Sequence, residues 1–192
     1  EEIAGLSVVR FITFRTAAAS LSAFGLSLLL GPWFIRRVRQ FQIGQVVRQD
    51  GPASHKPKAG TPTMGGLLIL TAVFVPTLLW SNLTNAYMWI AVVSTALFGV
   101  IGFVDDYLKV TRHSHYGLYA RYKFGAQLVV PFGVGITLVL MSRADPALYS
   151  TEIIPPFFKA FTPDVGWLFL PLAVTLLVGF SNAVNLTDGL DG

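Results

Sequence analysis

The sequence predicts an all-α polytopic membrane protein, and three observations support this fold class. Hydrophobic residues make up 53% of the 192 residues and charged residues only 12%, against roughly 25% charged residues in an average soluble domain. The mean hydropathy is +0.61. Several stretches without Asp, Glu, Lys or Arg are long enough to cross the hydrocarbon core as a helix, which takes ~20 residues. We therefore expect a single integral membrane domain over residues 1–192 with about five transmembrane helices.

The charge-free intervals set the limits of the predicted helices. Residues 16–35 form one interval of 20 residues. Residues 59–104 form a second of 46 residues, too long for one helix, and the polar sequence Ser81–Asn85 divides it into two spans joined by a tight turn. Prolines inside later intervals are tolerable where neighbouring helices satisfy the freed carbonyl groups. The predicted spans are residues 16–35, 64–80, 86–104, 124–142 and 165–184.

The distribution of basic residues predicts the orientation of these spans. Ten of the 14 Lys and Arg residues lie in the loops 36–63 and 105–123, which the positive-inside rule places in the cytoplasm. The segment 143–164 is then extracellular, and spans one, three and five all run towards the cytoplasm. Because the basic residues are confined to loops, the net charge of +4 indicates topology and anionic substrates, and no nucleic-acid partner is expected. The lack of Cys excludes disulfides, thiolate metal sites and a cysteine nucleophile within this segment.

A pair of carboxylates, Asp105 and Asp106, follows directly on an apolar stretch. Such a pair is costly because burial and mutual repulsion both disfavour the charged forms. One interpretation is a helix end whose charges pair with Lys109 or Arg112 and do nothing else. Adjacent side chains on a helix point ~100° apart, so a functional pair predicts a division of labour. One carboxylate would accept a proton or meet a metal, and the other would orient or neutralise a neighbouring Lys.

A second acidic cluster ends the fifth predicted span. Asn185, Asp188 and Asp191 recur every three residues and would align on one helical face, although Gly189 predicts a looser backbone there. A carboxamide with two carboxylates suits a hard cation or the hydroxyls of a sugar or base. The alternative is a polar helix cap.

A third element is the basic loop that precedes the second span. Lysines, hydroxyls and glycines just before a helix, with Lys58 and Thr63 among them, are typical of a cradle for phosphate oxygens. Generic binding to an anionic membrane surface is the alternative. Together the three elements predict phosphoryl or phosphosugar transfer to a lipid. A cation- or proton-coupled transporter is the alternative of another class, but transporters usually keep ionisable groups near the bilayer midplane.

Three sequence blocks resemble the phospho-N-acetylmuramoyl-pentapeptide transferases, the MraY translocase branch of the polyprenyl-phosphate N-acetylhexosamine-1-phosphate transferases. The two acidic motifs are shared across that superfamily, and the block that ends at Gly66 is specific to the muramoyl-pentapeptide branch. The match runs through the whole chain in order. The blocks are Gly51–Gly66, Phe103–Lys109 and Asn182–Gly192.

The resemblance implies a roughly ten-helix enzyme of the bacterial inner membrane, of which this chain would be the N-terminal part, inactive alone. The enzyme would transfer phospho-MurNAc-pentapeptide from UDP-MurNAc-pentapeptide to undecaprenyl phosphate, giving lipid I and UMP, with Mg²⁺ as cofactor and the active site on the cytoplasmic face. The sister activity, transfer of GlcNAc-1-phosphate from UDP-GlcNAc, is the alternative within the superfamily. A homodimer is among the assemblies that the resemblance allows.

The resemblance also implies roles for individual residues. Asp105, Asp106 and Asp188 would be catalytic, with Asp105 as the base that acts on the lipid phosphate. The main metal ligand is expected beyond Gly192, with the same three carboxylates as candidates. The substrate-binding residues would be Lys58, Thr63, Lys109, Lys123, Asn185, Gly189, Leu190 and Asp191.

Overall fold

The computed structural model of this chain describes residues 8–40, 64–112, 117–158 and 160–191, with side chains as far as Asn185. Within these ranges the chain forms five α-helices and two short 3₁₀ turns, one at residues 8–10 and one, Gly166–Leu168, that leads into the last helix. The all-helical prediction is therefore confirmed. The helices are α1 (Ile12–Gln40), α2 (Gly65–Trp80), α3 (Ala86–Thr111), α4 (Ala120–Ala144) and α5 (Phe169–Asp191).

Four of these helices are long and apolar enough to span a membrane, namely α1, α3, α4 and the last helix from residue Gly166 to Asn185. The fifth, α2, is an apolar helix of 16 residues and would be about 24 Å long, somewhat less than the ~30 Å hydrocarbon core. The outward faces carry large apolar side chains, such as Leu21 at 71% and Leu29 at 76% exposure. Such faces suit lipid rather than water, and the chain is a multi-pass membrane protein.

Four of the five described helices, all except α2, extend beyond the charge-free intervals from which we predicted the spans. α1 continues through Arg37 and Arg39, and α3 continues through Asp105, Asp106 and Lys109. Backbone hydrogen bonding does not stop at a charged residue, and charged side chains at the ends of a span can reach the polar interface. The residues 105–111, predicted as the start of a loop, are therefore the last two turns of α3.

The helices fall into two compact units, and the first comprises the residues up to Tyr119. Here α1 and α2 run antiparallel, since the Trp80 indole N–H donates to Ser22 Oγ at 3.1 Å and Gly31 faces Leu68 at the other end of α2. A tight turn over residues 81–85 leads to α3, as predicted. Asn85 caps α3, and its Oδ1 accepts from Tyr87 N at 2.9 Å.

The second unit comprises the residues from Ala120 onward and is built on the antiparallel pair α4 and α5. The two helices approach closely at Gly135, where a Cβ atom would lie 3.2 Å from Leu170 Cα. The segment that joins them contains one isolated antiparallel bridge between Glu152 and Asp164. Arg143 at the end of α4 stacks over the Trp167 ring, 4.7 Å from its centroid, which links the two ends of this segment.

Candidate active site

The carboxylate pair and one lysine lie in the last turns of α3, at the end that we predicted to face the cytoplasm. Lys109 Nζ is 2.8 Å from Asp105 Oδ2 and 3.3 Å from Asp106 Oδ1. This geometry follows from the helix, because residues three and four positions apart share a face. One ammonium group therefore lies against two carboxylates and offsets part of their mutual repulsion.

Asp105 is buried, and both of its carboxylate oxygens have partners. Its exposed fraction is 6%; Oδ2 is paired with Lys109, and Oδ1 accepts the backbone N–H of Leu118 at 2.8 Å. These contacts supply the charge and hydrogen-bond partners that a buried carboxylate requires. Asp105 thus fastens the chain that follows α3 back onto the helix.

Gly117 makes this close approach to Asp105 sterically possible. A Cβ atom on Gly117 would lie 2.8 Å from the backbone carbonyl oxygen of Asp105 and closer still to its carboxylate. A real Cβ does not come so close to backbone, so any other residue would push the 117–118 segment away from Asp105. The glycine and the carboxylate therefore act as one structural element.

Asp106 differs from its neighbour in that it opens onto a cavity of about 280 Å³ between α2 and α3. Its side chain is 35% exposed. Among the described residues around this cavity it supplies the charge, and the rest of the wall is apolar or glycine. The lining residues are Met64, Gly66, Leu67, Ile69, Leu70, Gly99, Gly102, Phe103 and Asp106.

Met64, the residue immediately before α2, lies in the wall of the same cavity. Its backbone is left-handed, with φ 67° and ψ 21°, a conformation that a long side chain rarely adopts. Strained backbone of this kind persists where surrounding structure fixes it, and it concentrates at functional sites. Met64 belongs to the sequence block singled out above for phosphate binding, so the strained residue joins that block to the cavity of Asp106.

The second acidic cluster lies on the last turns of α5, which remains helical through Gly189 to Asp191. The looser backbone that we predicted from Gly189 is therefore wrong within the described residues. Asn185 is exposed, whereas the side chains of Asp188, Gly189, Leu190 and Asp191 lie outside the described part. The helix keeps Asn185, Asp188 and Asp191 at positions three residues apart, as the alignment on one face requires.

A polar group that the sequence analysis missed holds α5 against α4. Gln127 is only 4% exposed. Its Nε2 donates to Ser181 Oγ at 3.2 Å, and its Oε1 accepts from Asn182 Nδ2 at 3.1 Å. The signal was present in the sequence, since a glutamine inside the charge-free interval 124–142 must find partners when it is buried.

Of the three remaining predicted residues, the structure describes one. Lys58 and Thr63 fall in residues 41–63, outside the described ranges. Lys123 lies in the first turn of α4 and is half-buried. Within the described ranges no three Asp, Glu or His side chains come together as a metal cluster. The charged group that the structure does assemble is Asp105, Asp106 and Lys109.

Comparison with known proteins yields two family matches. The profile of glycosyl transferase family 4 matches residues 88–192, which include both acidic motifs. The profile described as phospho-N-acetylmuramoyl-pentapeptide-transferase signature 1 matches residues 58–70. That signature runs from the basic loop through Met64 into α2.

Curated relatives agree with these profiles. A phospho-N-acetylmuramoyl-pentapeptide-transferase of Koribacter versatilis is 50% identical over 96% of this chain and 52% of its own length. Proteins of the same name from Desulfosudis oleivorans and Desulfatibacillum aliphaticivorans are 50% and 52% identical over 99% and 97% of this chain. The chain spans about half the length of the curated relatives it matches.

Proposed function

Because the chain belongs to glycosyl transferase family 4, with the muramoyl-pentapeptide signature at residues 58–70, we propose that it is part of a phospho-N-acetylmuramoyl-pentapeptide transferase. The whole protein would transfer phospho-MurNAc-pentapeptide from its UDP carrier to undecaprenyl phosphate. The observation that carries this proposal is the carboxylate pair with Lys109, of which Asp106 borders an apolar cavity beside the helix that the signature enters.

The chemistry requires a nucleophile, an electrophile and a leaving group. An oxygen of the lipid phosphate attacks the phosphorus that carries the sugar, the bond from that phosphorus to the bridging oxygen breaks, and UMP leaves. Lipid I then holds the new diphosphate linkage. Three negatively charged phosphates meet in this step, so catalysis depends on positioning and on positive charge near them. A two-step path through a carboxylate nucleophile would give the same products.

The geometry of α3 favours different roles for the two carboxylates. Asp105 has both oxygens engaged, by Lys109 and by Leu118 N–H, whereas Asp106 is open to the cavity. We therefore propose that Asp106 meets the substrate phosphate, as base or as metal ligand, while Asp105 holds Lys109 and the 117–118 segment. This reverses the base assignment that the family resemblance implies.

The residues present fit Mg²⁺ as the cofactor. Mg²⁺ is commonly held by one or two carboxylates together with the phosphates of the substrate, so a site does not need three protein ligands. In the described residues Asp106 is the accessible carboxylate of the pair, and we propose it as one ligand, with Asp188 as a second candidate. When bound, Mg²⁺ would neutralise charge on the diphosphate. Lys109 supplies a fixed positive charge beside the same carboxylates.

We extend the proposal to substrate recognition and sidedness. Asn185, Gly189, Leu190 and Asp191 would contact the nucleotide, and Lys58, Thr63 and Lys123 would hold phosphate. The basic loops would face the cytoplasm of a bacterium, because the positive-inside rule assigns them there. We expect activity from the full-length protein and none from residues 1–192 alone.

The test uses the full-length protein in detergent with undecaprenyl phosphate and Mg²⁺. UMP release is followed from UDP-MurNAc-pentapeptide and, in parallel, from UDP-GlcNAc. We expect release from the pentapeptide substrate only, and no release without the lipid phosphate. Turnover of UDP-GlcNAc would assign the protein to the sister activity. A lack of release from both substrates, with ion flux in proteoliposomes, would replace the enzyme by a transporter.

A further inference from the structure

We propose that Gln127 is a positioning residue that sets the rotation of α5 and thereby the placement of the Asn185–Asp191 motif. This inference rests on the proposed function, since it assigns that motif to the nucleotide and phosphate. Gln127 lies outside the three sequence blocks and inside the range that the glycosyl transferase family 4 profile matches. The observations that carry it lie within the α4–α5 pair.

The first observation is that both ends of one buried carboxamide are used. Gln127 Nε2 donates to Ser181 Oγ at 3.2 Å, and Gln127 Oε1 accepts from Asn182 Nδ2 at 3.1 Å. A carboxamide has a donor end and an acceptor end, so it recognises a hydroxyl and an amide in a fixed order. Adjacent residues on α5 are ~100° apart, and rotation of α5 by one position would break both bonds.

The second observation is that Asn182 is itself fixed. Its Nδ2 also donates to the carbonyl oxygen of Val178, 2.9 Å away on the preceding turn of α5. If α5 rotates, the Asn182 amide therefore moves with its own helix and loses its contact with Gln127. The partner of Gln127 is held by the helix backbone, so the contact transmits orientation between the two helices.

The third observation is the spacing between this contact and the acidic motif. Asn185 lies four residues after Ser181, and Asp188 lies seven residues after it. At 3.6 residues per turn both register positions fall on the same side of α5 as Ser181, within ~6 and ~11 Å along the axis. An unbroken helix links them, so a rotation fixed at Ser181 is carried to the motif.

The close packing of the same helix pair has a different function. At Gly135 the surfaces of α4 and α5 meet through Leu170 and Ala173, which sets the distance between the helices. Apolar packing of this kind is less selective for rotation than two oppositely directed hydrogen bonds. Separate residues therefore provide proximity and rotation, and they can be tested separately.

The experiment uses the full-length enzyme with Gln127→Leu, which replaces the carboxamide by an apolar side chain of similar size, and with Val139→Ala as the matched control. Val139 is on the same helix and 1% exposed, so its truncation costs packing without touching the polar contact. We expect Gln127→Leu to lower kcat/KM for the UDP-sugar at least tenfold, mainly through KM. Val139→Ala should lower the Tm and leave KM within twofold of the wild type.

A reciprocal exchange tests the length of the contact directly. Gln127→Asn shortens one side and should raise KM, and the double variant Gln127→Asn with Asn182→Gln should restore at least part of the loss. Ser181→Ala removes one of the two bonds and should give a smaller defect. These variants keep the inference testable if Gln127→Leu fails to fold.

A readout that does not require turnover separates this inference from the proposed function. Val184 is 68% exposed on α5, and a cysteine introduced there as the sole cysteine reports its surroundings through its rate of alkylation. We expect Gln127→Leu to change that rate severalfold and Val139→Ala to leave it unchanged. An unchanged rate, with loss of activity proportional to loss of Tm, would overturn the positioning role. Absence of UMP release from the wild type would contradict the proposed function while the alkylation rates still decide the role of Gln127.

Discussion

The polar side chains clustered on α3 are charged, whereas those that connect α4 and α5 are neutral. On α3 two carboxylates share one ammonium group, and two of the three side chains remain about one-third exposed or more. Between α4 and α5 the partners are neutral, and Gln127 is almost fully buried. Neutral amides lose far less free energy on burial than charges do. The charged group thus keeps part of its surface exposed, whereas the almost fully buried contact consists of neutral hydrogen bonds.

The largest effect should come from substitution of the two carboxylates. We have proposed that Asp106 meets the substrate and that Asp105 supports it. Asp106→Asn removes the accessible charge, and we expect kcat to fall by ~10²–10⁴, the range for loss of a general base. Asp105→Asn keeps an oxygen that can accept from Leu118 N–H but weakens the hold on Lys109, and we expect a smaller loss. UMP release by the full-length enzyme measures both.

Gly117→Ala tests the proposed difference between Asp105 and Asp106, because its added Cβ would disturb Asp105 from the segment that follows α3. We expect it to reproduce the partial loss seen with Asp105→Asn and to increase hydrogen exchange at the Leu118 amide. The division of roles is wrong if Asp105→Asn is as inactive as Asp106→Asn while the Leu118 amide keeps its protection. In that case Asp105 itself would react.

An intermediate effect on the free energy of unfolding is expected at the glycines where helices pack, and it should differ between the two units. Gly135→Ala brings a Cβ against the backbone of Leu170, which cannot move easily, and we expect a loss of ~1–3 kcal/mol in the free energy of unfolding. Gly99→Ala meets only the end of the Leu70 side chain, which borders the cavity and can turn into it, so its cost should be smaller. Detergent-titration unfolding of the full-length protein gives both values.

Two further glycines supply the controls for this pair. A Cβ at Gly133 or Gly102 would have no neighbour within 4 Å, so alanine there should be neutral or slightly stabilising through helix propensity. Equal costs at positions 99 and 135 would refute the difference between the two contacts.

The smallest effect should come from pH, in the segment between α4 and α5. The pKa of Asp164 lies below its ordinary value because its Oδ1 accepts from the Thr151 hydroxyl and from Gly166 N–H. A depressed pKa contributes stability that is present above the unfolded value, near 3.8, and is lost as the pH falls through the folded value. Protection of the Gly166 amide, corrected for intrinsic exchange, should therefore decrease below about pH 4. Asp164→Ala should abolish this pH dependence, and a variant that retained it would assign the effect to another group.

The fold was predictable because a bilayer imposes a simple rule on composition. Within the described residues, the charge-free intervals located five helices, but the ends of four of them were predicted too early, as the continuation of α3 beyond Asp105 shows. The charged group of Asp105, Asp106 and Lys109 followed from helical spacing alone. The different roles proposed for Asp105 and Asp106 did not follow from spacing, because the Leu118 N–H that engages Asp105 lies 13 residues along the chain. The left-handed Met64 was equally unpredictable, since nothing in a methionine favours that backbone.

Pro131 makes α4 easier to bend close to Gln127, the residue that forms hydrogen bonds with α5. Proline lacks the N–H that would bond to the carbonyl of the residue four positions earlier, and that residue is Gln127. A helix that lacks one such bond bends more easily at that point. The first two turns of α4 are thus joined sideways to α5 through Gln127 and are less stiffly coupled to the rest of their own helix. The first two turns can therefore adjust to α5 by a small bend at Pro131 while the packing of α4 on α5 at Gly135 stays in place.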